Sequence, residues 1–300
     1  MDDRPQAGSV GLMAPGVRRI LAPNPSPMTH WGTNTYLVGD GDLAVIDPGP
    51  DDPAHLDAIL RAVGDASVCA VLVTHAHRDH SALAPRLAAA VGAPTLAFGP
   101  PDAGRSDIMA RLAAEGLTGG GEGVDLGFLP DGTLSDGARM AVGGRAVEAL
   151  HTPGHFAGHL SFVWGDLIFT GDLVMGWAST LISPPDGDLT AFLASCTSLK
   201  ARGARQFLPG HGAPIEDPTA RVDWLIDHRA GRTAQVLAML AAGHHRIPDL
   251  TARIYTDTAP ALIPAAERNV FAHLIALCEE GRVAAHPSLS ATATYSLSTA

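Results

Sequence analysis

Thr74-His75-Ala76-His77-Arg78-Asp79-His80 follows directly on an apolar run over residues 68–73. That run is short, β-branched and uninterrupted, which is typical of a buried strand. We therefore expect the polar heptapeptide on the turn that leaves the strand, before a helix over about residues 81–91. Because side chains alternate along extended backbone, His75 and His77 can point the same way. Imidazole is a good ligand for zinc and other first-row metals, so the stretch predicts a metal site.

A histidine-rich surface loop would be the alternative explanation for a single His-x-His pair. Asp79 and His80 extend the pair at the end of a buried strand and could face a second metal position nearby. Carboxylate and imidazole together suit the same metals. The complete heptapeptide therefore favours a metal site over a surface loop.

Other polar clusters also follow strand-like runs, each beside glycine or proline. They are residues 151–159 after the run 146–150, Thr170-Gly171-Asp172 after the run 167–170, and Pro209-Gly210-His211 after the run 206–208. Loops at one edge of a sheet are where α/β proteins usually build their sites. The alternation of strand-like and helix-like segments in the first hundred residues predicts an α/β layered domain.

Composition limits the classes of protein to consider. The chain has 20 Lys and Arg against 31 Asp and Glu, a net charge of −11, which disfavours a general binder of nucleic acid or acidic membranes. Cys69, Cys196 and Cys278 are widely spaced in apolar contexts and are expected to be reduced. The first residues lack a signal-peptide pattern, and no apolar run reaches the roughly 18 residues of a membrane span. We expect a cytoplasmic protein without a membrane partner.

The chain changes character after residue 217. Helices are expected over 218–242, 248–254 and 264–280, followed by a strand-like segment at 281–285, an order typical of a winged helix. Residues 221–287 contain seven Arg and seven Asp or Glu, whereas a DNA-reading winged helix normally has a basic face. Packing, homodimerisation or lining a substrate pocket is therefore expected in place of DNA binding. The uncharged Ser/Thr/Ala tail over 288–300 is expected to be disordered.

The clusters in their chain order resemble the metallo-β-lactamase superfamily. The motifs that carry the resemblance are His75-x-His77-x-Asp79-His80, Gly154-His155, Gly171-Asp172 and Gly210-His211. They cover roughly residues 30–215. The resemblance implies an α/β fold, the αββα metallo-β-lactamase sandwich, as a catalytic domain over residues 1–217. A small C-terminal winged-helix domain at 218–287 makes the chain similar to the β-lactamase-like protein 2 group, often described as hydroxyacylglutathione hydrolase-like and including an RNA-cleaving branch.

The resemblance also implies a ligand set for two zinc ions, with manganese or iron as substitutes. His75, His77 and His155 would hold one ion, Asp79, His80 and His211 the second, and Asp172 would bridge them. Such a pair activates a water as hydroxide and polarises the group under attack. Asp79 would orient that hydroxide and later pass on a proton, which makes it the candidate catalytic residue.

Other histidines and one aspartate are weaker candidates. Asp47, at a strand end, would accept a hydrogen bond from a ligand histidine. His159 suits either a place behind the ligands, contact with substrate, or ordinary core packing, and His151 is expected to be structural. The remaining histidines lack ligand-like spacing and are expected at the surface or in packing: His30, His55, His228, His244, His245, His273 and His286.

Three functions agree with these observations. The first is metal-dependent hydrolysis of a small acyl substrate, which is a thioester, a lactone or a β-lactam. Asp172, where the commonest β-lactamases have cysteine, matches thioesterases, lactonases and phosphodiesterases of the superfamily. The second is a metal-dependent phosphodiesterase or endoribonuclease on single-stranded RNA, which the single lysine, Lys200, disfavours. The third is a non-catalytic winged-helix regulatory protein, against which the complete ligand set argues.

Overall fold

The computed structural model describes residues 4–119 and 123–298, and its first sheet has seven strands. In chain order and in sheet order they are β1 (Val10–Ala14), β2 (Val17–Leu21), β3 (Asn34–Val38), β4 (Leu43–Ile46), β5 (Val68–Leu72), β6 (Thr95–Ala97) and β7 (Gly132–Thr133). Strands β1 to β4 pair antiparallel and β4 to β7 pair parallel. The parallel crossovers need helices, which the chain supplies between these strands. They are α1 (Pro53–Val63), α2 (Arg78–Ser81), α3 (Ala84–Val91) and α4 (Asp107–Ala114).

The second sheet has five strands in the order β12-β11-β10-β9-β8. They are β8 (Arg139–Val142), β9 (Arg145–His151), β10 (Leu160–Trp164), β11 (Leu167–Gly171) and β12 (Gln206–Pro209), with α5 (Leu189–Ala201) between the last two. Strands β8 to β11 form an antiparallel meander, and β11 pairs parallel with β12.

The two sheets pack face to face and helices cover both outer faces. Leu72 lies between the sheets together with Phe162, whereas its neighbour Val71 faces the outer layer with α1 and α3. This alternation along β5 follows from the two-residue period of a strand. On the other side, Phe192 of α5 covers the second sheet. The αββα prediction is therefore confirmed.

A helical module follows the sandwich. It contains α6 (Pro218–Ala241), α7 (Ile247–Ile254), a 3₁₀ turn (Pro260–Leu262), α8 (Ile263–Glu279), β13 (Val283–His286) and β14 (Thr294–Leu297). Val222 at the start of α6 packs with the outer layer of the second sheet, whereas Leu240 near its end packs in the module's own core. The domain boundary expected at residue 217 thus lies directly before α6, a helix that packs against both the sandwich and the C-terminal module.

The prediction of a disordered tail over 288–300 is wrong for the described part of it. Strand β14 pairs antiparallel with β13, with Ala285 opposite Tyr295. The Tyr295 ring is buried in the module core, and its backbone N–H donates to the carbonyl of His245 at 2.8 Å. An uncharged Ser/Thr composition is compatible with an edge strand as well as with a disordered tail. Burial of the Tyr295 ring stabilises the strand. Residues 299–300 lie outside the described residues.

Residues 260–279 form a helical segment that is long and apolar enough to cross a membrane by length and composition alone. Nine residues of α8 are buried, among them Val270 and Leu274 in the module core. The apolar character of this helix is therefore explained by core packing, although the sequence showed no uninterrupted apolar run of that length.

Candidate metal centre

The four polar clusters meet where strand ends of the two sheets come together. The cluster at 74–80 follows β5 of the first sheet, and the others follow β9, β11 and β12 of the second. Backbone hydrogen bonds join these ends, because Leu160 N donates to Thr74 O at 2.8 Å and Gly210 N donates to Gly171 O at 2.8 Å. Side chains that are widely separated in sequence are thereby fixed at one edge of the sandwich: His75, His77, Asp79, His80, His155, Asp172 and His211.

One group of possible metal ligands consists of three buried histidines, His75, His77 and His155. His77 Nδ1 lies 2.9 Å from His75 Nε2 and 3.2 Å from His155 Nε2. Burial, followed by the neighbouring His155, lowers the pKa of His77 to about 3. Burial, followed by His80, also lowers the pKa of His75 well below its usual value. Neutral imidazoles with converging nitrogen atoms are what a divalent metal requires.

A second group consists of Asp79, His80 and His211. His211 Nε2 lies 3.1 Å from Asp79 Oδ2 and 3.3 Å from His80 Nε2. Burial lowers the pKa of His211, but Asp172 and Asp79 outweigh it and raise the pKa to about 9. Asp79 and Asp172 thus stabilise a positive charge beside His211. A divalent cation bound here would supply that charge, and His211 would then bind it in its neutral form.

Asp172 lies between the two groups. Its Oδ1 is 3.5 Å from His80 Nε2, and its Oδ2 is 3.3 Å from His211 Nε2 and 3.9 Å from His155 Nε2. Oδ1 is buried without a hydrogen-bond partner among the described residues. Since buried carboxylate oxygens are rarely left unpaired, this atom fits a metal ligand, and the position of Asp172 fits the bridging role implied by the motif.

Gly210 is required for this close approach. A Cβ atom at position 210 would lie 2.5 Å from Asp172 Oδ1 and 2.7 Å from His80 Cε1. Both distances are shorter than any ordinary contact, so a larger residue would displace two candidate ligands. The glycine before His211 is therefore part of the site's geometry.

Asp47 accepts a hydrogen bond from His80, one of the candidate ligands. His80 Nδ1 donates to Asp47 Oδ2 at 2.8 Å, and Thr74 donates to the same carboxylate through its backbone N–H at 2.7 Å and its hydroxyl at 2.8 Å. With the proton on Nδ1, the His80 Nε2 lone pair is left for a metal.

Backbone carbonyls accept hydrogen bonds from two other candidate ligands. His155 Nδ1 donates to Leu181 O at 2.7 Å, and His211 Nδ1 donates to Gly32 O at 3.1 Å. A carbonyl can only accept, so each ring carries its proton on Nδ1 and presents Nε2 to the cluster.

His159 is close to the cluster but belongs to none of its ligand groups. It is fully buried, its Nδ1 lies 3.0 Å from Thr152 Oγ1, and its ring centroid is 5.3 Å from that of His75. His159 is not among the described residues that line the cavity, which disfavours contact with a substrate. His151 donates to Ala157 O at 2.9 Å and stacks on Phe98, which is a structural arrangement.

The seven histidines that lacked ligand-like spacing join none of the ligand groups formed by the described residues. His55 and His273 are buried and bonded to threonine hydroxyls at 2.8 and 2.9 Å. His30 stacks on Trp177 with a centroid distance of 4.8 Å. Packing accounts for these three side chains.

Sequence reasoning missed a connection from the C-terminal module to the site. Arg229 of α6 is 1 % exposed and donates to Ser179 O at 2.5 Å, to Thr180 O, and to Asn269 Oδ1 at 3.2 Å. Asn269 Oδ1 also accepts from Ile182 N at 3.1 Å. These bonds fix the loop whose residue 181 supports His155.

The sequence did contain a signal for this arginine. Arg229 shares the buried side of α6 with Val222, Leu225, Val236 and Leu240. Its spacing therefore places a charged residue in an apolar stripe. Burial lowers the pKa of Arg229 to about 10, which still leaves the guanidinium charged at neutral pH.

A cavity of about 470 Å³ opens at the cluster. His77, Asp79, His155, Asp172 and His211 form its floor. The C-terminal module contributes another part of the lining, through Tyr255, Thr258, Leu262, Ala265, Ala266 and Asn269. Convergent polar groups within a largely apolar cavity are typical of a ligand-binding site.

Comparison with known proteins agrees with the fold and the geometry. The chain belongs to the metallo-beta-lactamase superfamily, whose profile matches residues 28–211, and it is a hydrolase of that superfamily. The beta-lactamase associated winged helix domain matches residues 247–291, so the predicted C-terminal winged helix is also confirmed.

The chain is also similar to individual proteins of this superfamily. The chain is 30% identical over 289 residues to a beta-lactamase-like protein 2 homolog of Drosophila melanogaster, with 92% of each chain covered. It is 34% identical over 245 residues to an atrochrysone carboxyl ACP thioesterase of Aspergillus chevalieri, covering 79% of this chain and 69% of the relative. The crystal structure of a metallo-beta-lactamase family protein from Thermus thermophilus superposes with a TM-score of 0.74 at 25% identity, covering 95% and 100% of the two chains.

Proposed function

We propose that this chain is a metal-dependent hydrolase of acyl substrates, with a thioester as the first choice and a lactone or β-lactam as related substrates. The observation that carries the proposal is the convergence of seven buried or half-buried His and Asp side chains, five of which line one cavity. A relative named as an acyl carrier protein thioesterase supports the thioester. The proposed partner is therefore a small-molecule substrate. We also propose that the protein is located in the cytoplasm, because its three unpaired cysteines fit a reducing compartment.

The donor set fits two divalent ions, for which zinc is our proposal and manganese or iron are the substitutes. His75 Nε2, His77 Nδ1 and His155 Nε2 would hold one ion, and Asp79, His80 Nε2 and His211 Nε2 the other. Asp172 has an oxygen near each group and would bridge them. When bound, such a metal pair lowers the pKa of a water molecule and polarises the carbonyl group under attack.

Asp79 is the candidate for proton transfer. Its Oδ2 lies beside His211 and His80, and its side chain is 25% exposed, more than that of Asp172. Burial raises the pKa of Asp79, but His80 and His211 outweigh it and keep the carboxylate ionised. Its other oxygen can accept a proton from the attacking water and deliver it to the leaving group.

The lining of the cavity disfavours RNA as the substrate. Among the described residues that line it, Arg78 is the only Lys or Arg. Binding of a phosphate backbone depends on several Lys or Arg contacts. An uncharged acyl group makes no such demand.

A substrate panel tests the proposal. Purified protein would be assayed with S-lactoylglutathione, an N-acyl homoserine lactone, nitrocefin, bis-p-nitrophenyl phosphate and a labelled single-stranded RNA. We expect turnover of at least one acyl substrate, its loss on chelation, and a fall of at least about 10²-fold in Asp79→Asn. Asp166→Asn, an exposed aspartate paired with Arg205, is the matched control. Cleavage of RNA or the phosphodiester without any acyl turnover would contradict the proposal.

A further inference from the structure

Two segments of the chain contribute apolar side chains to the cavity at the candidate metal centre. The loop after Asp172 contributes Met175, Trp177 and Leu181. The C-terminal module contributes Leu262, the last residue of the 3₁₀ turn, and Ala265 in the first turn of α8. The lining therefore continues from the candidate ligands to the second domain with few charged groups.

The loop side of the cavity is held rigidly. Arg221 of α6 donates to Met175 O at 2.7 Å and to Ala178 O at 2.5 Å. The Trp177 indole stacks on His30 with 12° between the ring planes and remains 36% exposed. Since the backbone of this loop is anchored on both sides of Trp177, its apolar surface stays open to a ligand. A preformed apolar surface of this kind gains free energy when a ligand removes it from water.

Charges in the lining are confined to the metal end. Asp79 and Asp172 belong to the ligand cluster, and Arg78 follows directly on His77. In the part that the C-terminal module contributes, the described residues are uncharged: Tyr255, Thr258, Leu262, Ala265, Ala266 and Asn269. A ligand that extends from the candidate metal ligands to this module thus meets charged groups at the one and uncharged groups at the other.

We infer that this cavity binds the acyl part of the substrate as an extended apolar chain, with the carbonyl group at the metal centre and the tail against Leu262 and Ala265. The C-terminal module then sets the size of the acyl group, and a short or charged acyl group is a poor substrate. This inference rests on the proposed acyl hydrolase function and adds the substrate class and two specificity residues to it.

Binding of product carboxylates tests the inference without turnover. Acetate, hexanoate and decanoate would be titrated into the purified protein by calorimetry. Burial of one methylene contributes about 0.8 kcal/mol, or roughly fourfold in Kd. Decanoate should therefore bind up to about 10²-fold more tightly than hexanoate, since four methylenes separate them. A ratio below about threefold would overturn the inference.

Variants locate the tail. Leu262→Ser should weaken decanoate binding by about tenfold and leave acetate unchanged, because only the long chain reaches this residue. Leu297→Ser is the matched control, since Leu297 lies in the same module, is 42% exposed and does not line the cavity. Ala265→Trp, which adds bulk to the lining, should exclude decanoate before hexanoate. Equal losses in Leu262→Ser and Leu297→Ser would contradict the inference.

Failure of the inference and failure of the proposed function give different results. Length-dependent carboxylate binding without turnover of any acyl substrate would support the acyl site and refute the hydrolase proposal. Acyl turnover with carboxylate binding independent of chain length would support the hydrolase and refute the acyl site. Circular dichroism of each variant establishes that the comparison is made between folded proteins.

Discussion

Replacement of Asp47 by asparagine should weaken one metal position without unfolding the protein. Asp47 has a φ of 50°, a left-handed conformation that asparagine adopts readily, so the backbone is not perturbed. The side-chain Oδ1 of asparagine can still accept from Thr74 N, which now donates to Asp47 Oδ1 at 2.7 Å. The change is therefore confined to Oδ2, the atom that accepts from His80 Nδ1 and from the Thr74 hydroxyl.

At that atom an acceptor is replaced by a donor. Oδ2 of Asp47 accepts from His80 Nδ1 at 2.8 Å, whereas an amide NH₂ in the same place must donate. His80 then keeps its proton on Nε2, the nitrogen that lies 3.3 Å from His211 Nε2 and would bind the metal. A protonated nitrogen has no lone pair for a metal.

The expected magnitude follows from comparable changes in residues that orient metal ligands. Such substitutions reduce metal affinity by about 10- to 100-fold, equivalent to about 1.4–2.7 kcal/mol. The loss should fall mainly on the position formed by Asp79, His80 and His211, because Asp47 accepts directly from His80 of that group, whereas it is linked to His75 only through the Thr74 hydroxyl. In the absence of metal, the free energy of unfolding should fall by only about 1 kcal/mol. The asparagine NH₂ can donate to His80 Nδ1, so a hydrogen bond between these two side chains is kept with donor and acceptor exchanged.

Competition against a chromophoric chelator measures the two zinc affinities separately. Wild type and Asp166→Asn should bind two ions with the same affinities, whereas Asp47→Asn should retain one and bind the other about 10- to 100-fold more weakly. Two unchanged affinities in Asp47→Asn would refute the reasoning, as would an equal loss in the exposed control.

Three further predictions follow from buried groups. Arg229→Met should lower the free energy of unfolding by about 2–5 kcal/mol in urea titrations, because two loop carbonyls lose their donor. Gly210→Ala should reduce bound metal, measured by elemental analysis, because its Cβ would lie 2.5 Å from Asp172 Oδ1. Burial, followed by Arg229, lowers the pKa of His273 to about 3, so the unfolded chain binds this proton first as pH falls below about 6.5. The stabilisation by neutral His273 is therefore present above that pH and lost below it. The free energy of unfolding should fall by about 2 kcal/mol between pH 6.5 and 5, and this fall should be absent from the pH profile of His273→Gln.

Matched controls separate these effects from general damage. Arg205→Met removes an arginine that is 53% exposed and paired with Asp166, and should change stability by less than about 1 kcal/mol. Gly231 lies inside α6, where an added Cβ would have nothing within 4 Å, so Gly231→Ala should leave metal content unchanged and stabilise the helix by up to about 1 kcal/mol. A metal loss in Gly231→Ala as large as in Gly210→Ala would contradict the steric argument, and an equal destabilisation by both arginine changes would contradict the role of Arg229.

The sandwich and the convergence of the candidate ligands could be predicted because each cluster of candidate ligands comes on the turn after a strand. Val71 and Leu72 alternate between two cores, and the chain leaves β5 at the point where His75 and His77 are needed. Local sequence therefore carried most of the information on the first metal group. The order of the later clusters supplied the rest through the family resemblance.

Long-range contacts could not be predicted in this way. Arg229 reaches the 179–182 loop from a helix that begins 36 residues after it, and no local pattern joins the two. The pairing of β14 depends on burial of Tyr295, which composition does not reveal. The Arg229 contacts arise from the packing of the two domains, which also places Leu262 in the cavity, whereas the pairing of β14 arises from packing within the C-terminal module.

Elemental analysis of purified protein, after exchange into metal-free buffer, tests most directly whether seven scattered side chains form one pair of metal positions. The account predicts close to two transition-metal ions per chain, falling towards one in Asp47→Asn. A wild-type content near zero, in a protein that is folded by circular dichroism, would contradict it.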